Sequence, residues 1–349
     1  ISGSGSLTQN GLGALTLSGS NSYTGETLIS GGTLALATGV YLSTNSAIIN
    51  NANLAFTSTG SLVQGVNFSA SISGTGSLSQ NGTGTTTLSG TNTYTGVTTI
   101  RIGTLNFLNT AALYGGSNSL WTAANIGVTN GATLAVGVGT NAVNAFNADN
   151  ISTLLNNLNI GNASSGLMAG SLFGLDVTGT NFTLTNNVSN AIGLAVLGNG
   201  SLILSGSNSF TGASTIGSGG LLILSNAAQQ TLSGAISGAG SLAQSGTGTT
   251  TLTRSNTYSG GTILNAGTLL LGNTNALGAT NGSLNVAAGT LNAAAFNIRV
   301  GALSLGNGTI SGTGTITGSS YTATNTAAAL ISEALAGSGA FTQNGTGTT

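Results

Sequence analysis

The residues able to do acid–base or metal chemistry are few enough to take one at a time. The carboxylates are Glu26, Asp149, Asp176 and Glu333, the cations are Arg101, Arg254 and Arg299, and His, Lys and Cys are absent. Glycoside hydrolysis needs two carboxyl groups roughly 5–10 Å apart. Asp149 and Asp176 are separated by close to one turn of a stacked repeat, which makes them the candidate pair. The competing structural expectation is a helix cap for Asp149 and a turn residue for Asp176. A lyase would need a basic residue beside a carboxylate-held metal, and the three arginines are scattered. Serines abound, but the usual activating partners, His, Lys and Cys, are missing. Zinc and transition metals lack their ordinary ligands. Calcium could use backbone and Asn carbonyls, but the Asp-containing calcium repeat of other solenoids does not occur. The glycine-rich segments mimic a phosphate loop but sit between strand patterns and not ahead of a helix. No catalytic, cofactor-binding or metal residue is assigned, no cofactor is expected, and the chain reads as a non-enzyme.

The rest of the composition explains this scarcity. In 349 residues there are 59 glycines, no proline and 2% charged residues, and Asn, Ser and Thr fill the polar positions. Low charge with positive mean hydropathy argues against disorder. Three arginines cannot form the basic stripe that nucleic acid requires. No run approaches the ~20 apolar residues of a spanning helix. Ile1 and Thr349 both fall inside repeats, so the chain is expected to be a segment of a longer protein whose targeting and anchoring sequences lie elsewhere.

Self-similarity dominates the sequence. Residues 1–36, ISGSGSLTQNGLGALTLSGSNSYTGETLISGGTLAL, align without a gap to 72–107 and to 236–271. A partial copy covers 198–224, with Phe210 in the place of Tyr23, Tyr94 and Tyr258, and another begins near Leu335 and runs to 349. The intervals from Tyr23 to Tyr94, Tyr94 to Phe210, Phe210 to Tyr258 and Ile236 to Leu335 all lie near whole multiples of roughly 24 residues, the size of one unit of a stacked solenoid. The expected fold is therefore an all-β, right-handed parallel β-helix over residues 1–349, with about 14 coils rising ~4.8 Å each and a length on the order of 70 Å.

Within each copy, Leu15 and Leu17, Thr27 and Ile29, and Leu34 and Leu36 alternate with small polar residues, as strands with one buried face do. Clusters such as Gln9-Asn10-Gly11 and Ser18-Gly19-Ser20-Asn21 punctuate them as turns. Central solenoid strands must donate every N–H to the next coil, which accounts for the missing proline. In a parallel stack like residues sit over like, so charges repel while amide and hydroxyl ladders can bond. Glu26 aligns with Val97 and Gly261, and so reads as an exposed turn position. Arg101 aligns with Ser30 and Asn265, and Arg254 with Gly19 and Gly90, so the fold needs neither arginine. The recurrent aromatic reads as a packing residue. Between 111 and 188 the copies give way to irregular coils. There Ile151, Leu154, Leu155 and Leu158 share a helical face, with Asp149 or Asn150 able to cap the start and Gly161 to follow the end, predicting a short helix near 149–158. Tyr114 and Trp121 are expected to seal an irregular coil, with a contact patch as the alternative.

The repeated GSGSLTQNGLGALTLSGSNSYTGETLISGGTLAL pattern resembles the autotransporter-associated β-strand repeat, also called the passenger-associated transport repeat, and 289–318 is similar to the family's connecting segment. The resemblance implies a passenger displayed on or released from a bacterial cell surface, and membrane attachment only through a C-terminal barrel outside this chain. Lack of Lys and scarcity of acids depart from typical members. Family likeness alone implies no single activity. Three functions are weighed. The first is a structural or adhesive rod, binding itself or surface glycans through a weakly charged surface. The second is an ice-binding face built from Thr85-Thr86-Thr87, Thr91-Asn92-Thr93 and Thr313 to Thr317, although these fall at different repeat positions. The third is a glycan-active enzyme using Asp149 and Asp176.

Overall fold

The computed structural model describes residues 1–349 except Ala70, Asn141, Asn159, Ile160, Asn162 and Ala163. The chain is a parallel β-solenoid of about 16 turns with one short α-helix, formed as two compact units, Ile1–Asp176 and Val177–Thr349. Alternation in the sequence becomes alternation of burial in strands such as Thr85–Leu88, Ser201–Leu204 and Thr249–Leu252, where Thr86, Leu88, Leu202, Leu204, Thr250 and Leu252 are enclosed and the residues between them are half-buried.

In the first unit the strands wind over three faces. One face stacks Leu7–Gln9, Thr27–Ile29, Ile48–Asn50 and Ile72–Ser73. The next stacks seven strands from Ala14–Leu17 to Gly166–Leu167, and a third includes Thr85–Leu88, Thr104–Phe107, Thr133–Gly137 and Leu172–Asp176. Leu15, Leu34, Leu54 and Leu78 are register partners in one inward column. In the second unit a nine-stranded parallel face runs from Asn181–Leu184 to Phe341–Gln343. Its inward column passes through Leu204, Leu224, Gln244, Leu264, Val286 and Leu305.

The usual turn is shorter than the spacings of the copies suggest, and the chain makes correspondingly more turns. Leu7 pairs with Thr27, Thr27 with Ile48 and Ile48 with Ile72, each pairing being one turn, and only the last reaches the expected length. On the nine-stranded face every turn takes about 20 residues, at the short end for a stacked repeat. The anchor spacings mislead because successive copies do not start on the same face. The first copy's strands (Leu7–Gln9, Ala14–Leu17, Thr27–Ile29, Thr33–Leu36) occupy faces one and two. The second copy's (Ser77–Gln80, Thr85–Leu88, Thr98–Ile100, Thr104–Phe107) occupy faces two and three. From Leu7 the chain makes three full turns to Ile72 and then steps one face to Leu78, so the interval between these copies spans three and a third turns. The same step occurs in the second unit. The copy with Gly193–Leu197 and Ser201–Leu204 straddles the nine-stranded face and the one before it, while that with Ser241–Gln244 and Thr249–Leu252 uses the nine-stranded face and the one after.

Two turns of the first unit are long. Thr104 pairs with Thr133 and Thr133 with Leu172, and the second of these turns is nearly twice the ordinary length. The first holds 3-10 turns at Thr110–Ala112, Tyr114–Gly116 and Asn118–Leu120; the second holds the α-helix, Ala148–Asn157. The helix falls where its periodicity places it, with Ile151, Leu154 and Leu155 buried. Its cap is Asn147, earlier than either Asp149 or Asn150. The Asn147 side chain accepts from the Asn150 N–H, and the Asn150 side chain returns the bond to the Asn147 N–H, at 2.9 and 3.1 Å. Asp149 sits in the first turn, where a negative charge suits the helix dipole. Among the described residues no helix is long and apolar enough to cross a membrane.

Candidate functional site

The four carboxylates are dispersed by the fold. Asp149 is exposed on the first turn of the helix, and Glu26 is exposed at the turn before Thr27. Asp176 is not an exposed turn residue: it ends strand Leu172–Asp176, is 8% exposed, and accepts a 2.7 Å hydrogen bond from Asn106 Nδ2. Asn106 and Asp176 belong to strands separated by Thr133–Gly137. Ala135, Gly137 and Gly174 leave no bulk between the two side chains. Neither Asp149 nor Asp176 lines any of the cavities described below. Glu333 is buried with both carboxylate oxygens unpartnered, and burial raises its carboxyl pKa above the usual value.

Two arginines are tied to the turn beneath them. Arg101 donates to Asn81 Oδ1 at 3.2 Å and Arg254 to the Ser233 carbonyl at 3.1 Å. Arg299 has no such partner among the described residues and faces a groove.

The recurrent aromatic is the centre of a repeated internal clamp. The Tyr23, Tyr94 and Tyr258 hydroxyls bond the Thr27, Thr98 and Thr262 hydroxyls at 2.6, 2.9 and 2.6 Å. Where Phe210 replaces the tyrosine, Ser214 replaces the threonine, and its hydroxyl accepts the Leu194 N–H at 2.9 Å. Burial pushes the Tyr94 and Tyr258 phenols well above their ordinary pKa, with Tyr114 close to Tyr94 adding to the first. Tyr114 and Trp121 are both buried and seal the irregular turns. The Tyr114 hydroxyl donates to the Asn125 carbonyl at 2.8 Å, Trp121 Nε1 to the Leu113 carbonyl at 3.3 Å, and the Trp121 ring lies 5.4 Å from Phe146.

Two further motif positions carry roles that the sequence did not reveal. Two residues before each aromatic stands a buried Asn. Asn92 accepts the Ile72 N–H at 3.0 Å and donates to the Ala112 carbonyl at 3.1 Å, while Asn256 does the same with Ile236 and Ala276 at 2.8 and 2.6 Å. Each amide therefore staples three consecutive turns. Each motif Gln (Gln9, Gln80, Gln244, Gln343) turns its amide onto the two carbonyls two and four residues ahead, closing the following turn. The recurrence of Asn and Gln at fixed motif positions was the available signal.

The Thr-rich strands stack only in single columns. Thr249, Thr268, Thr290 and Thr309 are register partners, but the neighbouring outward column reads Thr251, Leu270, Asn292 and Ser311. A flat ice-matching array needs adjacent columns alike. Thr91 and Thr93 lie outside strands, and Thr313 precedes the strand Thr315–Thr317.

Of the concave regions, three bear on residues named above; a further one of about 410 Å³, lined by Ser207, Asn208, Ser209, Gln229, Gln230 and Thr231, holds no charged residue. A cavity of about 290 Å³ is lined by Trp121, Asn118, Asn144 and the helix-capping Asn147 and Asn150. Leu330, Ile331, Glu333, Leu335 and Phe341 line an apolar one of about 390 Å³. The third, about 400 Å³, surrounds Arg299.

These features define a class, a parallel β-solenoid whose polar motif residues serve the stack. The passenger-associated-transport-repeat model matches the chain four times, at residues 7–36, 78–107, 194–224 and 242–271, and the solenoid is built around copies of that repeat. No curated protein and no solved structure matches the chain.

Proposed function

We propose that this chain is an autotransporter passenger segment, displayed at or released from the bacterial surface, whose work is structural and adhesive and not catalytic. Self-association between copies is its primary contact. The observation that carries this reading is how the molecule spends its polar groups. Motif Asn amides are committed to turn-to-turn hydrogen bonds and motif Gln amides and Tyr–Thr hydroxyls to bonds within a turn, two of the four carboxylates are buried, and the formal net charge is −1. A surface so poor in charge offers little electrostatic repulsion between copies.

The test is sedimentation of the purified segment over a range of concentrations, with salt varied. Association that strengthens with concentration and is insensitive to salt is expected, together with clumping of cells that display the segment. A monodisperse species at high concentration, with displaying cells staying dispersed, would overturn the proposal.

A further inference from the structure

We infer that the groove around Arg299 is a binding site for a carboxylated polysaccharide, one whose sugars carry hydroxyls and a carboxylate. The site is independent of the proposed self-association and stands on the groove alone. Four successive corners of the second unit line up there: Thr280-Asn281, Val300-Gly301, Gly318-Ser319 and Gly337-Ser338. Such corners repeat at the strand separation of ~4.8 Å, which gives the groove a regular polar ladder. The volume is about 400 Å³.

What distinguishes this groove is a free arginine among polar side chains without protein partners; the groove at Ser207, Ser209, Gln229 and Thr231 also has such side chains but carries no charge. Arg299, Thr280, Asn281, Thr317, Ser319 and Ser338 all lack a protein partner for their side-chain polar groups among the described residues. The cavity beside the helix differs. There Asn147 and Asn150 are bonded to each other's backbone, and the Thr110 hydroxyl is bonded to the Asn144 carbonyl. The contrast with the other arginines is direct, because Arg101 and Arg254 each hold the turn below. Arg299 alone presents a free planar fork, the geometry that takes a carboxylate through two parallel hydrogen bonds. Around it, hydroxyls and one amide match the donors and acceptors of sugar hydroxyls. No carboxylate lines the groove to oppose an anion.

The experiment is titration of the whole chain, at concentrations below any self-association, with polygalacturonate, dextran sulfate, neutral dextran and inorganic phosphate. Binding of polygalacturonate is expected, with neutral dextran and free phosphate at least about tenfold weaker, since an ion pair with no saccharide contacts and saccharide contacts with no ion pair each lose part of the site. Arg299→Gln should weaken polygalacturonate binding at least about tenfold and Arg299→Lys by less, while Arg254→Gln should leave it unchanged. Equal binding of neutral dextran, tighter binding of dextran sulfate than of polygalacturonate, undiminished binding by a folded Arg299→Gln chain, or no binding at all would each overturn the assignment. Circular dichroism and hydrogen exchange of Arg299→Gln establish that its fold is intact.

Discussion

Replacing Asn256 by Ala removes a staple that joins three turns. The Oδ1 atom accepts the Ile236 N–H at 2.8 Å and Nδ2 donates to the Ala276 carbonyl at 2.6 Å. Asn256 is 3% exposed, and Ile236 and Ala276 are fully buried, so water cannot replace either bond. A buried group left unsatisfied costs about 1–3 kcal/mol, so two give about 2–6 kcal/mol. Solenoids unfold locally, which makes native-state hydrogen exchange a sharper assay than a global melting midpoint. The Ile236 amide should lose at least about thirtyfold in protection, at about 1.4 kcal/mol per factor of ten. Asn256→Asp separates the two halves of the staple. The carboxylate still accepts from Ile236 but cannot donate to the Ala276 carbonyl, so protection at Ile236 should largely return while stability stays low. Asn285→Ala, at an exposed strand position, is the control expected to change stability by less than about 0.5 kcal/mol. If Asn256→Ala leaves Ile236 protected and stability within about 0.5 kcal/mol of the parent, the staple is not holding the turns and the reasoning fails.

Three other perturbations test separate parts of the stack. Gly267 has φ +63°, and a Cβ there would run into the carbonyl oxygens of Gly246 and Gly248. Gly267→Ala should therefore destabilise by at least about 2 kcal/mol in chemical denaturation, whereas Gly13→Ala, in open space, should be close to neutral. The buried phenols make the fold alkali-sensitive. Burial raises the Tyr114 pKa from 10.0 to about 12, so between those pH values the unfolded chain releases a proton that the folded chain keeps. Stability falls as pH rises through that window by about 1.4 kcal/mol per unit for this group, and Tyr94 and Tyr258 extend the loss upward. Tyrosinate absorbance should thus appear together with loss of β circular dichroism; full titration near pH 10 with the fold intact would contradict the burial. Glu333, with its raised carboxyl pKa, favours the folded state while protonated and loses that contribution as pH rises. Glu333→Gln should raise the melting temperature at pH 7 and change it little at pH 4, and a lowered melting temperature at pH 7 would refute this.

Much of the molecule was legible in the sequence. Alternating apolar residues fixed which side chains point inward, because a strand reverses face at every residue. Leu15, Leu34, Leu54 and Leu78 do share an inward column. The helical spacing of Ile151, Leu154 and Leu155 announced the helix for the same kind of local reason. The absence of His, Lys and Cys was visible before any fold.

The turn length, the face each copy occupies and the fate of the polar side chains were decided only in three dimensions. A coil closes on the sum of its strands and corners, so copies that start a fraction of a turn apart return a spacing unrelated to the turn itself. A sequence likewise shows an Asn before each aromatic but not the N–H and carbonyl, one turn away on either side, that it joins. The same holds for charge. Asp176 looked like a turn residue and is bonded to Asn106 across an intervening strand, and of three similar arginines two are spent on the turn below while Arg299 is left facing an open groove. Hydrophobic periodicity is a local property of the chain; partnership across turns exists only once the turns are stacked.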